Sequence, residues 1–135
     1  MVVKVLDSWA LLAFLQDEPS AGEVEKLLVG AAENKLRLLL GVINWGEIYY
    51  AIARAESEAA AERNMRELAS LGIELIPVEK DLFLVREAAK LKAKHRMSYA
   101  DCFAAALAKI RGAELVTGDR EFRQVEHEIE IHWLK

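Results

Sequence analysis

Apolar positions along this chain fall into two patterns, short solid runs and helical stripes. Val2, Val3, Val5 and Leu6 form the first run, dense enough for a strand buried on both faces, and it stops at Asp7. Trp9 to Leu15 has helical composition, and Ser20-Ala21-Gly22-Glu23 has the form of a capping box that predicts a helix to about Ala32. Leu36 to Leu40 is the second solid run. Asn44-Trp45-Gly46-Glu47 opens a helix with Ile48, Ala51, Ile52 and Ala55 on one side. A further helix over Glu58 to Leu71 stops at Gly72, read as its C′ glycine. Ile73 to Ile76 is the third strand, closed by Pro77. A helix from Lys80 to about Lys94 precedes another that Ser98 opens and Gly112 ends. Leu115 to Thr117 is the fourth strand, Gly118-Asp119 follows it, Glu121 to Val125 is a short helical turn, and Ile129 to Trp133 alternates as an edge strand. Strands alternating with helices imply an α/β fold, a parallel sheet covered on both faces. With 135 residues and no repeat or linker, residues 1–135 are expected to form one domain.

Composition narrows the class. Apolar content of 53% with 30% charged residues suits a folded globular chain. No apolar run approaches the ~20 residues needed to span a membrane, so no membrane partner is expected. Lys4 and Asp7 interrupt the N-terminal apolar run, which argues against a signal peptide. Cys102 is the only cysteine; it permits no internal disulfide and fits a reducing, cytoplasmic setting. The net charge of −4 argues against a broad basic face, so contact with nucleic acid would depend on local clustering. Nine of the 18 Lys and Arg residues do cluster between Arg86 and Arg123, Arg96 and Arg120 among them. His95, His127 and His132 show no metal-ligand spacing and are expected at the surface.

Four acids stand out by position. Asp7 and Asp119 each follow an apolar strand, where open α/β sheets bind their ligands. Glu47 and Asp101 each stand three residues after an expected N-cap, Asn44 and Ser98. Capping alone accounts for an acid at any one of these positions. The Asp101 helix adds a second clue: Phe103, Ala106, Leu107 and Ile110 form one stripe, and Ala104, Ala105 and Ala108 line the side of Asp101. A helix so apolar all round is central, and small residues beside its acid leave room for an ion and a phosphate. Two carboxylates ~6 Å apart repel by roughly 3 kcal/mol at an effective dielectric near 20. Four in one pocket therefore call for a cation or raised pKa values. Oxygen ligands without a His or Cys cluster favour Mg²⁺ or Mn²⁺ over zinc.

Asp7-Ser8 before Ala10-Leu11-Leu12, Asn44-x-x-Glu47, Ser98-Tyr99-x-Asp101 and Thr117-Gly118-Asp119, in that order and over the whole chain, resemble the acidic motifs of PIN-domain ribonucleases, above all VapC-type toxins of toxin–antitoxin pairs. Trp9 departs from the small residue common after this Asp-Ser pair. The resemblance implies a PIN-like three-layer fold whose mostly parallel sheet has the order 3-2-1-4-5, setting Asp7 and Asp119 beside one crevice. It further implies that Asp7, Glu47, Asp101 and Asp119 are the catalytic, metal-binding acids, supported by Ser8 and Thr117. The implied activity is Mg²⁺- or Mn²⁺-dependent endoribonuclease cleavage, with water as nucleophile and the ion offsetting charge on phosphate. RNA, an antitoxin protein and a second copy of the chain are the implied partners. Arg54, Arg96 and Arg120 are candidate RNA contacts, and Trp45, Tyr49 and Tyr50 are candidate interface aromatics. The alternative is an inactive module of the same fold that works only through protein partners; the presence of all four acids argues against it. A receiver-type signalling domain needs paired acids after the first strand and a Lys after the last, and neither is here.

Overall fold

A computed structural model describes residues 1–135. β1 (Val2–Leu6), β2 (Leu36–Gly41), β3 (Glu74–Ile76), β4 (Glu114–Thr117) and β5 (Ile131–Trp133) form one sheet in the order 3-2-1-4-5. All four pairings are parallel, β5 at the edge included. The helices are α1 (Ser8–Leu15), α2 (Ala21–Ala32), α3 (Val42–Ala55), α4 (Glu58–Ala69), α5 (Phe83–Lys94) and α6 (Tyr99–Arg111), with a 3₁₀ helix over Arg120–Val125.

Alternation within the strands divides the core in two, because successive side chains leave a strand on opposite faces. Val5, Leu39 and Leu115 point toward α5, α6 and the 3₁₀ helix. Leu6, Leu38, Leu40 and Val116 point toward α1, α2, α3 and α4. Cys102 to Leu107 are all buried, as is Ala108, so α6 is the central helix its composition implies, although Ile110 at its end is exposed. Gly112 ends it in the left-handed region, φ 58°, where glycine has no steric penalty.

Four local expectations need correction. The box at Ser20 does not close. The Ser20 hydroxyl donates instead to the Lys135 carbonyl and Glu23 accepts from the Lys135 N–H at 3.1 Å, so both side chains hold the far end of the chain. α3 begins at Val42 rather than at Asn44, because β2 passes straight into it at the extended Gly41. α4 ends at Ala69, and Gly72, at φ 75°, lies beyond its cap Ser70. α5 begins at Phe83 rather than Lys80: Leu82 takes a left-handed φ of 63° and Asp81 accepts from the Phe83 N–H at 3.1 Å.

Candidate acidic site

β1 and β4 run side by side at the centre of the sheet, with Leu6 opposite Val116. The next residue on each strand, Asp7 and Thr117, therefore emerges at the same carboxyl-terminal edge. Asp7 has no exposed surface. Its Oδ1 accepts from the Ala10 N–H at 2.9 Å, capping α1. Its Oδ2 accepts from the Thr117 hydroxyl at 2.5 Å, and Thr117 Oγ1 accepts in turn from the Asp119 N–H at 3.0 Å. Asp7 thus caps α1 through one oxygen and, through the other, is tied by Thr117 to the main chain of Asp119.

The other acids arrive at helix starts. Ser98 caps α6 by accepting from the Asp101 N–H at 3.1 Å. Asp119 caps the 3₁₀ helix, its Oδ1 accepting from the Glu121 N–H at 3.0 Å. Asp101, Asp119 and Glu121 each bring a carboxylate oxygen within 4.8 Å of the others. Asp7 and Glu47 are not in this trio; Glu47, half-buried on α3, acts on Asp101 only through its charge. Glu121 has no place in the sequence-derived set. The signal was present in Asp119-x-Glu121, but that spacing also suits an ordinary helical turn.

The electrostatics follow from this packing. Burial pushes the Asp7 carboxyl up to about 8, against the pull of its two hydrogen bonds, and the charges of Asp101 and Asp119 add to the rise. Asp101 rises to about 6, through burial first and then the charges of Glu47 and Asp119. No Lys or Arg pairs with Asp7, Glu47, Asp101, Asp119 or Glu121. The all-oxygen donor set fits a hard divalent cation.

Ser8 and Asn44 brace the site. The buried Ser8 hydroxyl donates to the Asn44 carbonyl at 3.2 Å, and Asn44 Nδ2 donates to Ser8 Oγ at 3.3 Å and to the Ala100 carbonyl at 3.1 Å. Asn44 thereby ties α1 and α3 to the start of α6, next to Asp101. It is not an N-cap, so Glu47 lies in the second turn of α3 and the capping account of Glu47 fails.

Arg54, Arg96 and Arg120 are all exposed and none pairs with an acid. Arg54 stacks over Tyr50 at 5.2 Å and Arg120 over Trp133 at 4.9 Å. The Arg96 main chain is pinned by Gln124, which accepts from its N–H at 3.0 Å and donates to its carbonyl at 3.2 Å. Other members of the basic span are committed elsewhere: Lys90 to Glu87, Lys92 to the Met97 carbonyl, Lys109 to Glu128. Two histidines are not free surface groups. His95 lies 3.2 Å from Glu128, and His132 Nδ1 lies 2.9 Å from the Lys4 ammonium, both half-buried. Trp45 and Tyr49 stack on each other at 5.7 Å and pack on the core, leaving Tyr50 as the exposed aromatic of the three.

The PIN domain family matches residues 4–128 by its sequence model. The chain resembles in fold VapBC2 from Rickettsia felis, solved bound to a DNA fragment from its promoter, at 14% identity, over 99% of this chain and 100% of that one, with a TM-score of 0.75. It also resembles Mycobacterium tuberculosis VapC20, a sarcin–ricin loop cleaving toxin, at 15% identity over 90% and 94% of the two chains, TM-score 0.71. DNA-bound VapBC from Salmonella typhimurium gives 19% identity over 98% of each chain, TM-score 0.69. No curated protein matches the chain. No helix is long and apolar enough to cross a membrane.

Proposed function

The chain belongs to the PIN domain family, and from that premise we propose that it is a divalent-metal-dependent endoribonuclease, the toxin of a toxin–antitoxin pair. The observation that carries this reading is the gathering of Asp101, Asp119 and Glu121 within 4.8 Å, with the buried Asp7 tied to Asp119 through Thr117 and no basic side chain paired to any of them. Asp7, Glu47, Asp101 and Asp119 are the acids we assign to Mg²⁺ or Mn²⁺, with Glu121 beside them. Bound there, the ion supplies Lewis acidity toward a phosphoryl oxygen and offsets the charge that develops in hydrolysis.

The chain's own groups have separate tasks in this mechanism. Thr117 holds Asp7 Oδ2 and the Asp119 main chain at once, fixing the two strand ends against each other. Ser8 and Asn44 hold the start of α6, and so Asp101. Arg96, Arg120 and Arg54 contact the RNA backbone as unpaired cations. RNA as substrate class takes support from the likeness to VapC20, and an antitoxin partner from the likeness to the VapBC structures. The same reading gives the protein a second copy of itself as partner and a cytoplasmic setting.

Cleavage of a structured RNA with Mn²⁺, with Mg²⁺ and with chelator tests the proposal. Cutting is expected only with metal, and Asp101→Asn is expected to lower its rate by roughly a thousandfold or more while the fold survives. Undiminished cutting in chelator would overturn it.

A further inference from the structure

Trp9 stands two residues after Asp7 on α1 and keeps 37% of its surface exposed. Its six-membered ring rests on the main chain of Gly118. A Cβ at Gly118 would fall 2.3 Å from that ring, so glycine is the residue this contact admits. The ring also borders an open cavity of about 460 Å³, within the range of small-molecule sites. Leu12 and Leu134 line its apolar part, and Arg120 and Glu18 are among its polar lining. The Arg120 guanidinium is oriented by its stacking on Trp133. Gly118 and Arg120, which line the cavity, are the two chain neighbours of Asp119, although no member of the acidic group lines it.

We propose that this cavity receives one unpaired base of the RNA, the base beside the scissile phosphodiester, stacked on Trp9 with its phosphate against Arg120. The assignment rests on the nuclease reading of the acidic site. An aromatic face next to a fixed cation is the arrangement by which proteins hold single-stranded nucleic acid, since every base has a face to stack. The Arg120 guanidinium suits a phosphate. Glu18 adds an acceptor for an exocyclic amine on the base.

The test uses the full chain carrying Asp101→Asn, in chelator, with labelled single-stranded RNAs in which one abasic site is walked along the sequence. One abasic position, next to the bond that the unsubstituted protein cuts, is expected to weaken binding between about five- and a hundredfold. Adding Trp9→Leu, which keeps apolar volume over Gly118 but no aromatic face, should weaken intact RNA by the same factor and erase the abasic effect. Trp9→Phe should retain most of the affinity. Gln16→Trp, at an exposed position in the lining, fills the cavity without touching the core and should also weaken binding. Unchanged RNA affinity in Trp9→Leu and Gln16→Trp overturns the assignment. So does a loss in Trp9→Leu confined to antitoxin binding, which would give the cavity to a protein segment. If the unsubstituted protein cuts RNA and Trp9→Leu cuts it with the same KM and pattern, this assignment alone falls. If the unsubstituted protein neither binds nor cuts any RNA, the nuclease reading falls and takes it along.

Discussion

Asp7 forms the floor of the acidic group with none of its surface exposed, whereas Asp101, Asp119 and Glu121 stand at the rim in contact with solvent. At the floor, both carboxylate oxygens accept bonds from the protein, one from a helix start and one from the neighbouring strand. At the rim, the carboxylates crowd within 4.8 Å and no Lys or Arg pairs with them. The floor holds its geometry through hydrogen bonds made on folding. The rim is relieved only by something it binds, a cation or a proton. Asp7 thus has both oxygens held by protein donors while Asp119 has one so held, and the difference lies in what the neighbouring elements offer each carboxylate.

The largest expected effect separates the two by metal. A cation that binds the folded state at a hundredfold excess over its Kd stabilises it by roughly 2.7 kcal/mol, which raises Tm on the order of 10 °C in a domain of this size. Thermal melts with and without Mn²⁺ should show this rise, and an Asp101→Asn, Asp119→Asn double variant should lose it. That variant should also melt above the unsubstituted protein in chelator, because rim repulsion is reduced. A lower melt in chelator would mean that the rim acids act as framework too.

Thr117→Val sharpens the comparison from the floor side. It removes the donor to Asp7 Oδ2 and the acceptor of the Asp119 N–H in a buried place, at a cost of about 1–3 kcal/mol. Denaturant unfolding should record the loss with and without metal alike, and Thr117→Ser should restore most of it.

The pH response follows next. Both Asp7, at about 8, and Asp101, at about 6, titrate above the ~3.9 of an unfolded aspartate. Between these values the folded state keeps protons that the unfolded chain has released, so stability declines with rising pH. In chelator the stability these protons confer should be complete below about pH 4. It should decline from there to about pH 8, by at most ~1.4 kcal/mol per pH unit for each group. Unfolding midpoints from pH 5 to pH 8 measure this. Asp7→Asn should remove the slope above about pH 6 and reduce it below, whereas Asp101→Asn should reduce it only below about pH 6.

The smallest expected effect concerns the cations around the rim. Arg96→Ala should weaken RNA binding and reduce the salt slope by about 0.7, the contribution of one contact to a single strand. Binding titrations at several salt concentrations read it, and an unchanged slope would make Arg96 an ordinary solvated residue.

Much of this arrangement was readable residue by residue. The strand ends at Asp7 and Thr117 and the Ser98 cap before Asp101 are local features, set by short apolar runs and by contacts three residues apart. The start of α3 was misread because Asn44 is an excellent cap by type; its Nδ2 instead donates to Ser8 and to the Ala100 carbonyl, 36 and 56 residues away. Ser20 and Glu23 failed in the same way, each drawn to Lys135 more than 100 positions along the chain.

The sequence by itself determined which segments are strands and helices and which acids stand at their ends, because period, capping and apolar density act over a few residues. Tertiary structure alone decided which acids share one space. Thr117 reaches Asp7 across 110 positions because β1 and β4 are neighbours in the sheet. Glu121 joins Asp101 and leaves Asp7 to the floor because a 3₁₀ turn and the start of α6 meet above that sheet edge. Such distances depend on strand order and helix docking, which no local pattern encodes.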